Sequence, residues 1–90
     1  MPCVEVEEVF SSKGRVKILK LLAKRSELNI SEITRRAALN HSTTLNHLEW
    51  LKNAGLVEEK KFGRIRIYRF KLENPKAKAI QALFEAFDGG

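Results

Sequence analysis

The stretch from Asn40 to Val57, NHSTTLNHLEWLKNAGLV, narrows the possible folds more than any other part of the chain. Asn40 suits an N-cap, because its side chain accepts the orphan N–H bonds of a first helical turn. Gly55 reaches a positive φ without steric cost, so it suits the position just past a helix end. Between them, Thr44, Leu48 and Leu51 recur at the spacing of one helix face and mark that face as inward. Ser42, Asn46, Glu49 and Asn53 fall on the opposite arc, with Thr43 and Trp50 on one flank and Leu45 on the other. The exposed first turns therefore carry His, Ser, Thr and Asn. These short donors and acceptors suit base edges and phosphates in a DNA major groove.

Ninety residues make one domain, with a core only just large enough to be stable alone. Hydrophobic residues at 43% and charged residues at 31% describe a globular chain rather than a disordered one. The net charge of +6 and a pI near 9.8 favour a polyanionic partner. One cysteine, Cys3, excludes an internal disulfide and a multi-cysteine zinc site, and it fits a reducing, cytoplasmic setting. No apolar run approaches the roughly 18 residues of a membrane span. The acidic start MPCVEVEEVF does not read as a signal peptide.

Residues 1–10 alternate Val4, Val6 and Val9 with glutamates, as an edge strand or an irregular arm would. Ser11 or Ser12 then caps a helix to about Arg25. Its apolar residues, Val16, Ile18, Leu19, Leu21, Leu22 and Ala23, cover more than half the circumference, while Lys13, Lys17, Lys20 and Lys24 share a narrow face. An arc so wide exceeds one packing contact. The helix is expected to lie between the DNA-binding unit and either the C-terminal helix or a second subunit. Leu28 to Ile30 form a short extended piece. Ser31 opens a further helix, with Glu32 favourable in its first turn and Ile33, Ala37 and Ala38 inward. Helix, short turn, helix is the layout of a helix-turn-helix.

After Gly55 the spacing predicts strands at 56–62 and 65–72, joined by Gly63-Arg64. Tyr68, Phe70 and Leu72 alternate on one face of the second strand. Lys60, Lys61, Arg64, Arg66, Arg69 and Lys71 face only Glu58 and Glu59 in this hairpin. A basic hairpin beside a helix-turn-helix reads as a wing that grips phosphates or a minor groove. Asn74 and Pro75 start a last helix as N-cap and first helical residue. Ile80, Leu83, Phe84 and Phe87 make an apolar stripe on it, beside Ala79, Ala82 and Ala86. So small a domain has little surface to cover that stripe, which implies a dimer contact, with Ile18 and Leu21 as the second surface. The expected division is an N-terminal arm at 1–10, a winged helix-turn-helix at 11–73 and a dimerisation helix at 74–90. The class is mainly α with a small antiparallel β-hairpin.

With that order in place, the chain resembles the ArsR-like winged-helix regulators. The resemblance rests on SSKGRVKILKLL, HSTTLNHLEWLKNAGLV and FGRIRIYRF, and covers roughly residues 10–72. It implies that His41, Ser42, Thr43, Asn46 and His47 lie at or near DNA, that Arg64 and Arg66 occupy wing positions, and that two copies pair through terminal helices. Leu45 departs from the family's frequent serine. It reads either as a contact to a thymine methyl or as packing against the helix at 31–39. His47 has two readings as well, a packed histidine or a DNA contact. Lys61 joins the candidate DNA contacts from the wing. The metal-sensing members' paired cysteines and terminal-helix ligands have no counterpart here, and His41 and His47 lie on different helix faces. Neither metal nor cofactor is expected.

No nucleophile–base pair, paired carboxylates or Gly-rich phosphate loop points to an enzyme. The expected function is a homodimeric, sequence-specific regulator of double-stranded DNA. Two rivals are a winged-helix interaction module of the transcription machinery and a sequence-indifferent DNA-coating protein.

Overall fold

The computed structural model describes residues 4–89. Residues 1–3, with Cys3 and the start of the expected arm, lie outside the described residues, as does Gly90. In order, the elements are α1 (Val6–Val9), α2 (Lys13–Arg25), β1 (Glu27–Asn29), α3 (Ile30–Ala37), α4 (His41–Asn53), β2 (Val57–Phe62), β3 (Ile65–Phe70) and α5 (Pro75–Gly89).

The four longer helices each open on a side-chain acceptor. Ser12 Oγ accepts from Arg15 N at 3.3 Å, and Asn29 Oδ1 accepts from Glu32 N at 2.8 Å. Asn40 Oδ1 accepts from Thr43 N at 2.8 Å, and Asn74 Oδ1 accepts from Lys76 N at 2.9 Å. Each bond satisfies a donor that a helix leaves unpaired in its first turn. The cap of α3 is thus Asn29 and not Ser31. Asn29 ends β1 with an extended backbone, which is also the conformation a cap requires, so α3 starts already at Ile30.

Two other local expectations are corrected. The valines at the N-terminus do not form a strand or an irregular arm throughout, because residues 6–9 are helical. Glu8 Oε1 accepts from Glu5 N at 3.2 Å, the reach-back bond of a capping box, and Val9 turns into the core. Ala38 does not share the inward face of α3. It takes a left-handed conformation with φ 56° that stops the helix, and Leu39 N donates back to Thr34 O at 3.2 Å.

The strand order is β1-β3-β2, antiparallel throughout. Leu28 pairs with Tyr68 on one edge of β3, and Glu59 pairs with Tyr68 on the other. Gly63 connects β2 to β3 at φ +60°, while Arg64 keeps a negative φ. A positive φ at the first central residue alone is the pattern of a II′ hairpin turn, whose twist matches the flanking strands. The alternation on β3 ends at Phe70. Leu72 lies beyond the strand and is exposed, because the chain has already turned toward α5.

Helix α2 explains its own wide apolar arc. It packs on α3, α4, β3 and α5, and Ile18, Leu19 and Leu22 are wholly buried. Of the two partners open to it, the C-terminal helix of the same chain is the one that covers it. Ile18 therefore does not reach a dimer surface. Ile80 and Phe84 are likewise core residues of their own protomer, and with Ala77 they form the face of α5 that turns inward. The Phe84 ring meets Phe10 at 6.1 Å between centroids, in a tilted arrangement. The apolar stripe of α5 is thereby split. Leu83 and Phe87 stay 42% and 80% exposed, and Leu21 is half-buried at the rim of the core.

Asn74 links the end of α4 to the start of α5. Its Nδ2 donates to Gly55 O at 2.8 Å, at the end of α4, while its Oδ1 caps α5. Gly55 itself sits at φ +79°. Asn74→Ala is expected to cost about 1–3 kcal/mol, the sum of a lost cap and a lost hydrogen bond to a main-chain carbonyl. Urea denaturation of the two proteins measures it.

Candidate nucleic-acid interface

The outward face of α4 follows from its inward one. Thr44, Leu48 and Leu51 are wholly buried, as their spacing requires, and Thr44 Oγ1 donates to Asn40 O at 2.9 Å, so its hydroxyl is satisfied there. Rotation of the helix is then determined. His41, Ser42, Asn46 and Asn53 are exposed, and Thr43 and Leu45 are half-buried on the two sides of that face.

His47 belongs elsewhere. Its Nε2 lies 3.4 Å from Ser12 Oγ, in the seam between α2 and α4. Gly14 makes the seam possible, since a Cβ there would stand 2.9 Å from that same nitrogen. Burial lowers the imidazole pKa below its ordinary value, and the charge of Arg15 lowers it further. Of the two sequence readings, the packed histidine is the one this geometry matches.

Arg15 was not legible as a site residue. Its guanidinium lies 3.8 Å from the centroid of the Trp50 ring, and one of its terminal nitrogens donates to Glu8 O. Its buried Nε has no hydrogen-bond partner. It ties α1, α2 and α4 together beside the outward face. Nothing local to Arg15 or to Trp50 signals the pairing.

The wing is held by its acids and presents its bases. Glu59 accepts from Tyr68 Oη at 2.7 Å and from Lys52 Nζ at 3.3 Å, and Arg66 Nε stands 3.9 Å away. Those contacts, the tyrosine hydroxyl first, hold the Glu59 carboxyl below its usual range. Burial and the carboxylate together push Tyr68 up to about 12. Lys52 also meets Glu49 at 3.0 Å, so a single ammonium joins the end of α4 to the base of the wing. On the other side of the sheet Arg69 bridges Glu58 at 2.8 Å and Glu27 at 3.0 Å. Among the described residues, Lys60, Lys61 and Arg64 have no carboxylate partner, and all three are exposed. Arg66 shares Glu59 loosely.

The register assigns faces. Residues directly opposite in an antiparallel pair point to the same side. Glu59–Tyr68 and Lys61–Arg66 lie on the side turned to α4, as the Lys52–Glu59 contact shows. Glu58–Arg69, Lys60–Ile67 and Phe62–Ile65 lie on the other. The described residues contain no group of three His, Cys, Asp or Glu placed to hold a metal ion, and no helix long and apolar enough to cross a membrane.

A polar helix face beside a basic hairpin, on this order of helices and strands, defines a winged helix-turn-helix regulator. Residues 12–59 match the family described as bacterial regulatory protein, arsR family, and the chain belongs to that family. It resembles HlyU from Vibrio cholerae N16961, at 28% identity and a TM-score of 0.77 over 89% of this chain and 84% of that one. It also resembles the homodimeric winged helix-turn-helix DNA-binding domain Mb0332 from Mycobacterium bovis, at 27% identity and 0.74, covering 93% and 75%. The transcriptional repressor PagR of Bacillus anthracis is similar at 26% identity and 0.71, covering 84% of each chain. Among curated proteins none matches the sequence.

The seam predicts a pH dependence. His47 has a depressed pKa when folded, so the unfolded chain binds its proton first as pH falls. Stability is full above the ordinary histidine value and declines as pH falls below about 6.5. The carboxylates that are held low lose their contribution only at lower pH. His47→Gln is expected to flatten the decline, as read from urea midpoints across that window.

Proposed function

We propose that the chain acts as a homodimer on double-stranded DNA and binds selected sequences to regulate transcription. One observation carries the reading. The rotation of α4 leaves His41, Ser42 and Asn46 outward beside a wing whose tip cations, Lys60, Lys61 and Arg64, have no carboxylate partner among the described residues. Base edges accept and donate at the spacing such side chains offer, and phosphates accept from the tip. Thr43 and Leu45 border the contact, and Leu45 suits a thymine methyl. Lys61 and Arg66 lie on the α4 side of the wing and suit the nearer backbone. His47 positions α4 against α2 and does not read a base. Residues 11–73 serve as the DNA-binding unit, and the site of action is the cytoplasm, where the DNA is.

The homodimer rests on the second face of α5. Ala79, Ala82, Leu83, Ala86 and Phe87 are exposed at the spacing of one helix stripe, and the alanines let another helix approach closely. Mb0332 is homodimeric and shares this fold. Two-fold symmetry then sets half-sites roughly 34 Å apart, one turn of the duplex.

Three experiments test these readings. Arg64→Ala is expected to weaken binding to every duplex and to reduce the slope of log affinity against log salt by about one per subunit. Asn46→Ala is expected to cost about 1–3 kcal/mol on a site selected from random duplexes and little on unselected DNA. Equal loss on both would mean that Asn46 touches only backbone. For assembly, each large apolar side chain fully buried contributes roughly 1.5–3 kcal/mol, twice over by symmetry. Leu83→Asp with Phe87→Asp should give a folded monomer by sedimentation, since neither residue serves the core. A wild-type protein already monomeric at micromolar concentration would remove the dimer.

A further inference from the structure

The tip of the wing carries two large apolar side chains that the core does not use. Phe62 is 60% exposed and Ile65 is 53% exposed. They are the closing pair of the hairpin, directly opposite one another across Gly63-Arg64. Half-buried Ile67 continues the patch on the same side of the sheet. Every charged residue from Lys60 to Lys71 is a cation. An apolar pair in that setting suits a surface that is apolar between two rows of anions. The minor groove of DNA has apolar sugar walls between its phosphates, and apolar base faces wherever a step is unstacked.

We propose that the wing tip is an apolar wedge: Phe62 and Ile65 enter the minor groove beside the half-site and kink the duplex there. The inference rests on the DNA-binding reading above and adds to it a deformation. Size supports it. Sheets with side chains on both faces pack about 10 Å apart, so the hairpin is roughly that thick, while the minor groove is about 6 Å wide. Lys61 and Arg66 occupy one face of the hairpin and Phe62 and Ile65 the other. The groove must therefore open to admit the tip. Apolar side chains set between base steps open it by partial unstacking, which bends the duplex toward the major groove. The base step under the tip is then chosen for its ease of deformation, without a hydrogen bond to it.

The plain alternative is that the pair only closes the hairpin. Bending measured by energy transfer between the ends of a duplex carrying the selected site separates the two. Wild type should bend it. Phe62→Thr with Ile65→Thr, which keeps strand-forming residues, should bind with the salt slope unchanged and the bend lost. Phe62→Leu with Ile65→Val should restore the bend. Wild type should also prefer a TA or CA/TG step under the wing to an A-tract, a comparison that needs no variant. A threonine variant that bends DNA as wild type does, or a wild type indifferent to that step, overturns the wedge. Wild type that binds the site without bending it overturns the wedge alone and leaves the proposed function standing. Wild type that binds no duplex overturns both.

Discussion

The burial of α2 is the constraint on which the rest of the structure depends. Ile18, Leu19 and Leu22 are fully enclosed, with α3 and α4 on one flank and α5 on another. Each contributes roughly 1.5–3 kcal/mol by leaving water. Domains of this kind hold a net stability of only about 5–15 kcal/mol, so three such side chains on one helix decide whether the fold exists. The positions of the functional surfaces are consequences. Leu48 and Leu51 turn into this core, and His41, Ser42 and Asn46 are thereby turned out. Ala77, Ile80 and Phe84 turn into it from α5, and Leu83 and Phe87 are left facing solvent.

A second, polar arrangement sets the wing against the recognition helix. Both carboxylates of the hairpin point into structure: Glu59 to Tyr68 and Lys52, and Glu58 to Arg69. Partly exposed ion pairs of this type contribute modestly to stability. Here their value is directional. They neutralise cations near the base of the wing and none at its tip, so the positive potential is concentrated where a duplex backbone would meet it. Lys52 lies at the junction, with Glu49 of its own helix on one side and Glu59 of β2 on the other, so one ammonium adds a polar link to the apolar packing that sets helix against wing.

Much of this was legible in the sequence where the signal is local. The caps at Asn40 and Asn74 and the turns at Gly55 and Gly63 each depend on a few neighbouring residues, and each stands as its residue types require; of Ser11 and Ser12, both open to the sequence, Ser12 is the cap. The inward face of α4 was legible from Thr44, Leu48 and Leu51 because helical spacing is enforced by the backbone itself. Ser31 misled because two acceptors, Asn29 and Ser31, compete within three residues, and only the strand conformation of Asn29 decides between them. Hydrophobic periodicity on α5 showed that a stripe exists but not which half of it faces the same protomer.

The sequence by itself determined the class of fold, the polar character of the recognition helix and the excess of positive charge on the hairpin. These are properties of residue types at short spacing. The tertiary structure alone decided that Ile18, Ile80 and Phe84 are core and that His47 lies in the α2–α4 seam. It also decided that Arg69 is neutralised and that Phe62 and Ile65 share the wing face turned away from α4. Those outcomes depend on partners far off in the chain, 35 residues for Ser12 and His47 and 42 for Glu27 and Arg69. Side chains so distant meet only after packing has brought their elements together, and packing is a property of the whole core, to which no single stretch of the sequence gives access.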